Sequence, residues 1–96
     1  MTQSELLEKL SDAKDVLDER FGISKFALFG SYARDEAREN SDVDIVILQM
    51  NLKDAYAIMD AKEYLMNILQ KNVDIGTFKS MKTFIKNRIK KDFIYV

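Results

Sequence analysis

Residues 29–47 read FGSYARDEARENSDVDIVI, and this stretch decides the fold that we predict for the chain. It begins where a short apolar run, residues 25–29, comes to an end, and such a run is typical of a buried strand. Residues 42–48 are rich in β-branched side chains and predict a second strand. Between these strands the sequence favours a helix over residues 32–38 and then a turn. The stretch therefore predicts a strand, a helix and a second strand in close succession.

The flanking sequence predicts more helices and a third strand around this stretch. Apolar residues recur at helical spacing over residues 2–20 and again over residues 53–70. Residues 73–78 predict a strand, and Ser80 is placed to cap a last helix that runs to about Lys90. The predicted order is α-β-α-β-α-β-α, an α+β domain with a small mixed sheet packed against helices. The apolar tail, Phe93-Ile94-Tyr95-Val96, can add one more short strand.

Composition limits both the class of protein and the chemistry open to it. The 96 residues are enough for a single domain, residues 1–96. Cys and His are both absent from the sequence, which excludes thiolate nucleophiles, His general bases and ordinary zinc sites. No apolar run approaches the ~20 residues of a membrane helix, and the first residues are unlike a signal peptide. We therefore expect a soluble, cytoplasmic protein whose chemistry rests on carboxylates, Lys, Arg, Tyr, Ser or backbone amides.

The charge of the chain is unevenly distributed. The net charge is −1, but residues 79–96 hold six basic residues against one acidic residue, a net of +5. The overall balance argues against a general nucleic-acid binder without excluding a local RNA contact. Lys82, Lys86 and Lys90 form a stripe at i, i+4 spacing, which is usually a solvated helix face. The alternative is that this stripe docks RNA or an acidic partner protein.

Three short motifs carry candidate chemistry. Asp42 and Asp44 alternate with apolar residues, so in a strand both carboxylates point the same way, roughly 6.6 Å apart. Two carboxylates on one face repel each other, and a divalent cation between them would remove that repulsion. Gly30-Ser31 closes a strand, where backbone amides and a hydroxyl suit a phosphate. Asp74 lies near the start of the third strand. Each motif alone also fits a plain strand end or turn.

Taken together, the motifs resemble the G-S-x-A-R-G…S-D-x-D-[ILV] signature of the polymerase-β-like nucleotidyltransferases. The chain is most similar to the minimal nucleotidyltransferases, which act as antitoxins to HEPN-domain ribonuclease toxins. The resemblance covers nearly the whole chain, including Val73-Asp74 and the final Tyr95-Val96. One departure is Asp35, which replaces the usual Gly after A-R. If that position requires a positive φ, Asp carries some strain there.

The resemblance implies a role for each motif. It implies that the triphosphate is bound by four residues, namely Gly30, Ser31, Arg34 and Ser41. It implies that magnesium, as two ions, is held by the carboxylates of Asp42, Asp44 and Asp74, with Asp74 also helping the attacking hydroxyl. Arg34 could equally pair with a nearby Glu. For these groups to meet, strands one and two should be antiparallel, while strands two and three should be parallel and joined by a crossover helix.

Two functions follow from this interpretation. The first is an enzyme that moves a nucleoside monophosphate, AMP from ATP or its equivalent from another nucleoside triphosphate, to a hydroxyl of the helical HEPN toxin, with a tyrosine implied as acceptor. The second is a non-catalytic antitoxin that neutralises the toxin by binding it. The three Asp residues and Gly30-Ser31 favour catalysis, whereas the basic last helix and apolar tail favour binding. The oligomeric state stays open, with a homo-oligomer as one alternative.

Overall fold

The first helix, α1, spans Gln3–Phe21 in the computed structural model, which describes residues 1–51 and 55–96. It begins with a capping box, in which the Glu5 N–H donates to the Thr2 hydroxyl at 3.1 Å and the Thr2 N–H donates to the Glu5 carboxylate at 3.4 Å. It ends at Gly22, whose φ of 71° gives a left-handed cap. The helix predicted for residues 2–20 is confirmed.

Among the described residues, four strands form one mixed sheet. They are β1 (Ile23–Phe29), β2 (Val43–Met50), β3 (Val73–Thr77) and β4 (Ile94–Tyr95), and their order across the sheet is β3-β2-β1-β4. β1 is antiparallel to β2 and to β4, whereas β2 and β3 are parallel. The predicted strand directions are therefore confirmed, and the apolar tail does supply an edge strand.

The crossover between the parallel strands contains the second helix, α2, which spans Ala55–Leu69. Residues 53 and 54 of the predicted helix lie outside the described residues. The third helix, α3, is shorter than predicted and spans Thr83–Ile89, between 3-10 turns at Phe78–Ser80 and Lys90–Asp92. Within the described ranges, no helix combines the length and apolar character needed to cross a membrane.

The predicted capping role of Ser80 is wrong. The N-cap of α3 is Lys82, which makes no side-chain cap hydrogen bond. Ser80 lies instead in the preceding 3-10 turn, where its N–H donates to the Thr77 hydroxyl at 3.3 Å. The Thr77 hydroxyl therefore caps this turn directly after β3, and α3 begins only after a break in the chain direction.

The predicted helix over residues 32–38 is also wrong, so the order of elements is α-β-β-α-β-α-β. The segment makes a single tight turn, in which the Arg34 N–H donates to the Gly30 carbonyl at 3.1 Å and the Glu36 N–H donates to the Ser31 carbonyl at 2.8 Å. Asp35 then adopts a φ of 57°. A right-handed helix cannot continue through a left-handed residue, so the turn ends there.

One face of the sheet packs against α1 and α2. Its side chains, which include Leu28 and Ile45, join one core cluster with Leu6 and Leu10 of α1 and Leu65 of α2. All five of these residues are at most 1% exposed. This burial of apolar surface accounts for the amphipathic pattern of both helices and leaves the opposite sheet face free for other groups.

The opposite face holds two rows of side chains across the strands. The register places Phe29, Asp44 and Asp74 side by side in the first row. The second row runs through Tyr95, Ala27, Val46 and Gly76. Ala27 and Val46 are fully buried although they point away from α1 and α2, because the 3-10 turns on either side of α3 contact β2 and β1. The C-terminal segment, residues 78–93, therefore covers the middle of this face.

The left-handed backbone at Asp35 gives a test of the turn. We expect Asp35→Ile to lower the free energy of unfolding by about 1–2 kcal/mol, because a β-branched side chain is strained at positive φ. Asp35→Gly should be tolerated far better. Denaturant unfolding would measure both variants, with Glu39→Ile as a control at a nearby exposed position. Equal losses in the free energy of unfolding for Asp35→Ile and Glu39→Ile would contradict the inference that residue 35 requires a left-handed backbone.

Candidate active site

The site is built around the end of β1, where Gly30 lies directly against Asp44. Gly30 has a φ of 78°, and a Cβ on this residue would overlap the Asp44 carboxylate. The residue before it, Phe29, pairs with Asp44 across the antiparallel strands, which explains the close approach. Two features therefore require glycine at this position. The backbone is left-handed, and the Asp44 carboxylate occupies the space that a side chain would need.

The turn that follows is held in place by a residue that the sequence analysis missed. The side-chain amide of Gln3 donates to the carbonyl of Tyr32 at 2.9 Å and to the carbonyl of Ala33 at 3.1 Å. Tyr32 is itself buried, with 2% exposure, and so anchors the turn from the other side. No local sequence signal links a helix-start Gln to a turn about 30 residues away, because the contact depends on how α1 packs on the sheet.

The structure brings two of the three predicted carboxylates onto neighbouring strands. Asp44 lies in β2 and is in register with Asp74 of β3, so both side chains leave the same face of the sheet. Asp42 comes just before β2 begins and is exposed to solvent. Asp44 thus occupies the centre, with Gly30 on the β1 side and Asp74 on the β3 side.

The electrostatics of the site converge on Asp44. Burial, followed by the negative charges of Asp74 and Asp42, raises the pKa of its carboxyl from an ordinary value of 3.8 to about 6. The positive charge of Arg34 opposes this shift in pKa. The charges of Asp42, Asp74 and Arg34 therefore all act on the Asp44 carboxyl. Three carboxylates outweigh one guanidinium, so this part of the site attracts positive charge.

Arg34 reaches this site from the turn after Gly30. Its guanidinium pairs with the carboxylate of Glu36 at 3.3 Å and with that of Asp92, in the C-terminal segment, at 3.5 Å. The pairing with a nearby Glu that the sequence left open is thus present. Both ion pairs are substantially exposed, and such pairs contribute little to stability. They can be exchanged for contacts to an anionic ligand at small cost.

Ser41 is engaged in a local turn. Its hydroxyl accepts a hydrogen bond from the Arg38 N–H at 2.8 Å, and its own N–H donates to the Arg38 carbonyl at 3.0 Å. Together with Asp42 it lines a largely polar cavity of about 480 Å³ that also borders Asn67 and Asn72. Ser41 therefore shapes the approach to β2, while its binding to a nucleotide stays a prediction.

The donor set of the site suits a hard cation. Carboxylate oxygens are the ligands that Mg²⁺ prefers, and Asp44 and Asp74 present them from adjacent strands. Over residues 1–51 and 55–96, no group of three or more acidic side chains is already gathered closely enough to hold a metal ion. The raised pKa of Asp44 has the sign expected where a bound cation would relieve repulsion among carboxylates.

Residues 10–96 match the nucleotidyltransferase domain family. The chain belongs to this family. The turn after β1, the Asp of β2 and the Asp of β3 therefore lie in a fold whose members transfer nucleotidyl groups, as the sequence motifs predicted. The match includes every predicted site residue, from Gly30 to Asp74.

Individual relatives point in the same direction. The chain is 34% identical over 96 residues to a protein of Thermococcus cleftensis named protein adenylyltransferase MntA, covering all of this chain and 97% of that protein. A solved structure provisionally described as a minimal nucleotidyltransferase has 27% identity and a TM-score of 0.79, with 98% of this chain and 95% of that chain covered. The nucleotidyltransferase thus resembles these two relatives over almost its entire sequence.

A further solved structure shows the same fold in a complex. It is described as a tri-AMPylated HEPN toxin of Shewanella oneidensis with an MNT antitoxin. The TM-score is 0.71 at 20% identity, and the match covers 98% of this chain and 71% of that chain. At this identity the likeness concerns the fold, and it confirms the predicted minimal nucleotidyltransferase architecture.

The raised pKa of Asp44 predicts an unusual pH dependence of stability. Between about pH 4 and pH 6 the native state binds more protons than the unfolded chain, so the free energy of unfolding should fall as the pH rises through this window. In Asp44→Asn this charge is absent. The variant should therefore gain stability relative to the wild type from pH 4 to pH 7, measured by denaturant unfolding in a chelator.

Asp60→Asn serves as the matched control, because Asp60 is an exposed carboxylate on α2 and has no part in the site. The difference in free energy of unfolding between Asp60→Asn and the wild type should stay constant over the same pH range. A constant difference for Asp44→Asn as well would show that the Asp44 carboxyl titrates at its ordinary pKa.

Proposed function

We propose that this nucleotidyltransferase moves AMP from ATP to a hydroxyl group of a partner protein, and that the partner is a helical HEPN toxin which it inactivates as an antitoxin. The name of the full-length Thermococcus relative and the AMPylated toxin beside a related fold support the proposal. The structural observation that carries it is the position of Asp44, between the Gly30 turn and Asp74. We further propose that the reaction takes place in the cytoplasm, where ATP is available.

The phosphates of ATP are assigned to the turn after β1. The left-handed backbone of Gly30 turns the chain away from the sheet, so a phosphate can meet the backbone of the turn that follows, and the Ser31 hydroxyl can donate a hydrogen bond to it. Arg34 would neutralise phosphate charge after exchanging its weak ion pairs with Glu36 and Asp92. Gln3 keeps the turn in this shape by bonding its carbonyls.

Asp42, Asp44 and Asp74 are the residues that would hold magnesium, for which we propose two ions. Bound Mg²⁺ supplies positive charge that stabilises the reacting phosphates and the leaving pyrophosphate. Burial and the charges of the other two Asp residues raise the pKa of Asp44, and the repulsion among the carboxylates would be relieved on binding. Asp42 is exposed at the start of β2, so its carboxylate is free to turn toward Asp44.

Asp74 is assigned to the acceptor. The acceptor oxygen forms a bond to the α-phosphorus, the bond from that phosphorus to the bridging oxygen breaks, and pyrophosphate leaves. Asp74 orients the attacking hydroxyl and accepts its proton. This role follows from its place on β3, on the side of Asp44 that is opposite to the Gly30 turn.

A second candidate function is neutralisation of the toxin by binding alone. The observation that favours it is the basic C-terminal segment, in which Lys82, Arg88, Lys90 and Lys91 are all exposed. Lys86 is less available, because its ammonium lies 5.0 Å from the centre of the Phe78 ring. An exposed basic surface fits an acidic partner whether or not transfer occurs, so only a transfer assay separates the two functions.

Binding of MgATP should stabilise the protein. A ligand at a hundredfold excess over its Kd contributes about 2.7 kcal/mol to the free energy of unfolding. We expect a clear rise in Tm with MgATP for the wild type, and no rise for the double variant Asp42→Asn, Asp44→Asn. The double variant Asp12→Asn, Asp15→Asn, in exposed positions of α1, is the matched control. A preserved Tm response in the site variant would place the nucleotide elsewhere.

Transfer itself is tested with purified HEPN partner, Mg²⁺ and labelled ATP. Label should appear on the partner, and Asp74→Asn should reduce the rate by about 10²–10⁴-fold, because Asn cannot accept the proton. The affinity for ATP should change much less. Asp60→Asn should transfer at the wild-type rate. Inhibition of the toxin without any label would support the binding-only function, while full activity of Asp74→Asn would remove that residue from the chemistry.

A further inference from the structure

Gly76 is a glycine that the fold itself does not require. It lies inside β3, and its φ is not among the positive values, which the described glycines adopt only at Gly22 and Gly30. A Cβ built on Gly76 would meet no atom of the described residues within 4 Å. Glycine inside a strand weakens the sheet and offers no side chain to pack. Neither backbone conformation nor crowding therefore explains its presence.

The open space over Gly76 lies on the same sheet face as the carboxylates. Gly76 pairs with Val46 in the second row and is two residues beyond Asp74, roughly 6.6 Å along the strand. Its neighbours in that row, Ala27 and Val46, are fully buried. The C-terminal segment thus covers β1 and β2 in the middle of this face. It leaves a margin along β3 uncovered, and this margin contains Gly76 and lies beside Asp74.

The geometry of phosphoryl transfer indicates which reactant uses this margin. The attacking and leaving oxygens lie roughly in line on opposite sides of the reacting phosphorus. With the phosphates on the Gly30 side of Asp44, pyrophosphate departs over β1. The attacking hydroxyl must then arrive from the other side, over β3, where Asp74 and the space above Gly76 lie next to each other.

We propose that Gly76 is a specificity-determining residue, whose missing side chain leaves room for the hydroxyl-bearing side chain of the acceptor protein. This inference rests on the proposed function. The acceptor side chain would extend from the partner across the backbone of Gly76 and place its hydroxyl at Asp74. A side chain at residue 76 would occupy that path without disturbing the free protein.

The test uses Gly76→Ala and Gly76→Val as a graded series. Since a Cβ at residue 76 meets no atom of the described residues within 4 Å and β-branched side chains favour strands, both variants should fold with an unchanged or higher Tm and bind MgATP with a Kd within about twofold of the wild type. The KM for the partner protein in the labelled-ATP assay should rise, by roughly tenfold or more for Val and by less for Ala. Gln49→Val is the control. It introduces the same Val side chain at an exposed β2 position remote from Asp74, and it should leave the KM for the partner protein unchanged.

The outcomes separate this inference from the function on which it rests. An unchanged KM for Gly76→Val, with the wild type active, would overturn the role of Gly76 and leave the transferase proposal intact. A loss of MgATP affinity with an unchanged KM would assign the space to the nucleotide and also overturn it. Failure of the wild type to label its partner at all would overturn both proposals.

Discussion

The contact between Gly30 and the carboxylate of Asp44 is the constraint on which the site depends. The antiparallel register of β1 and β2 places Phe29 opposite Asp44, so the next residue lies beside the carboxylate. Only a residue without a side chain can fill that position, and the positive φ of Gly30 turns the chain away from the sheet there. One glycine therefore both makes room for the central carboxylate and starts the turn that carries Ser31 and Arg34.

This arrangement lowers the free energy of unfolding when no cation is bound. Asp44 is partly buried and surrounded by like charges, which is why its pKa is raised. The fold tolerates the cost because the other face of the same sheet packs against α1 and α2 through a continuous apolar core. The continuous apolar core lies on one face of the sheet and the carboxylates lie on the other, and the period-2 alternation of the strands keeps the two apart.

The sequence predicted the parts of this fold that are governed by local patterns. The helical spacing of α1 was visible in the sequence, as were the strands and the directions that a common site imposes on them. The segment after Gly30 was predicted wrongly as a helix, since its helix-favouring composition conceals a left-handed residue at Asp35. Ser80 does not cap α3, because it lies inside the 3-10 turn that the Thr77 hydroxyl caps, and α3 begins only after Lys82.

The proximity of the candidate carboxylates was predictable from the sequence, but the contacts that position the candidate site were not. The meeting of Asp44 with Asp74 followed from the resemblance, because its site requires strands two and three to be parallel. The link from Gln3 to the Tyr32 carbonyl and the ion pair of Arg34 with Asp92 did not follow from the sequence. These last two contacts join residues 29 and 58 positions apart in sequence. They depend on how whole elements pack, and no local pattern carries that information.

The same long separations affect how the site forms in time. The β1–β2 hairpin, the β2–β3 crossover and the Gln3 and Asp92 contacts all close large loops, and such non-local contacts are slow to form and are lost together. No short fragment of the chain contains Gly30, Asp44 and Asp74 in contact with the elements that position them. A partly folded molecule would therefore lack the site, so the protein would gain and lose its reactive geometry in one cooperative step with the fold itself.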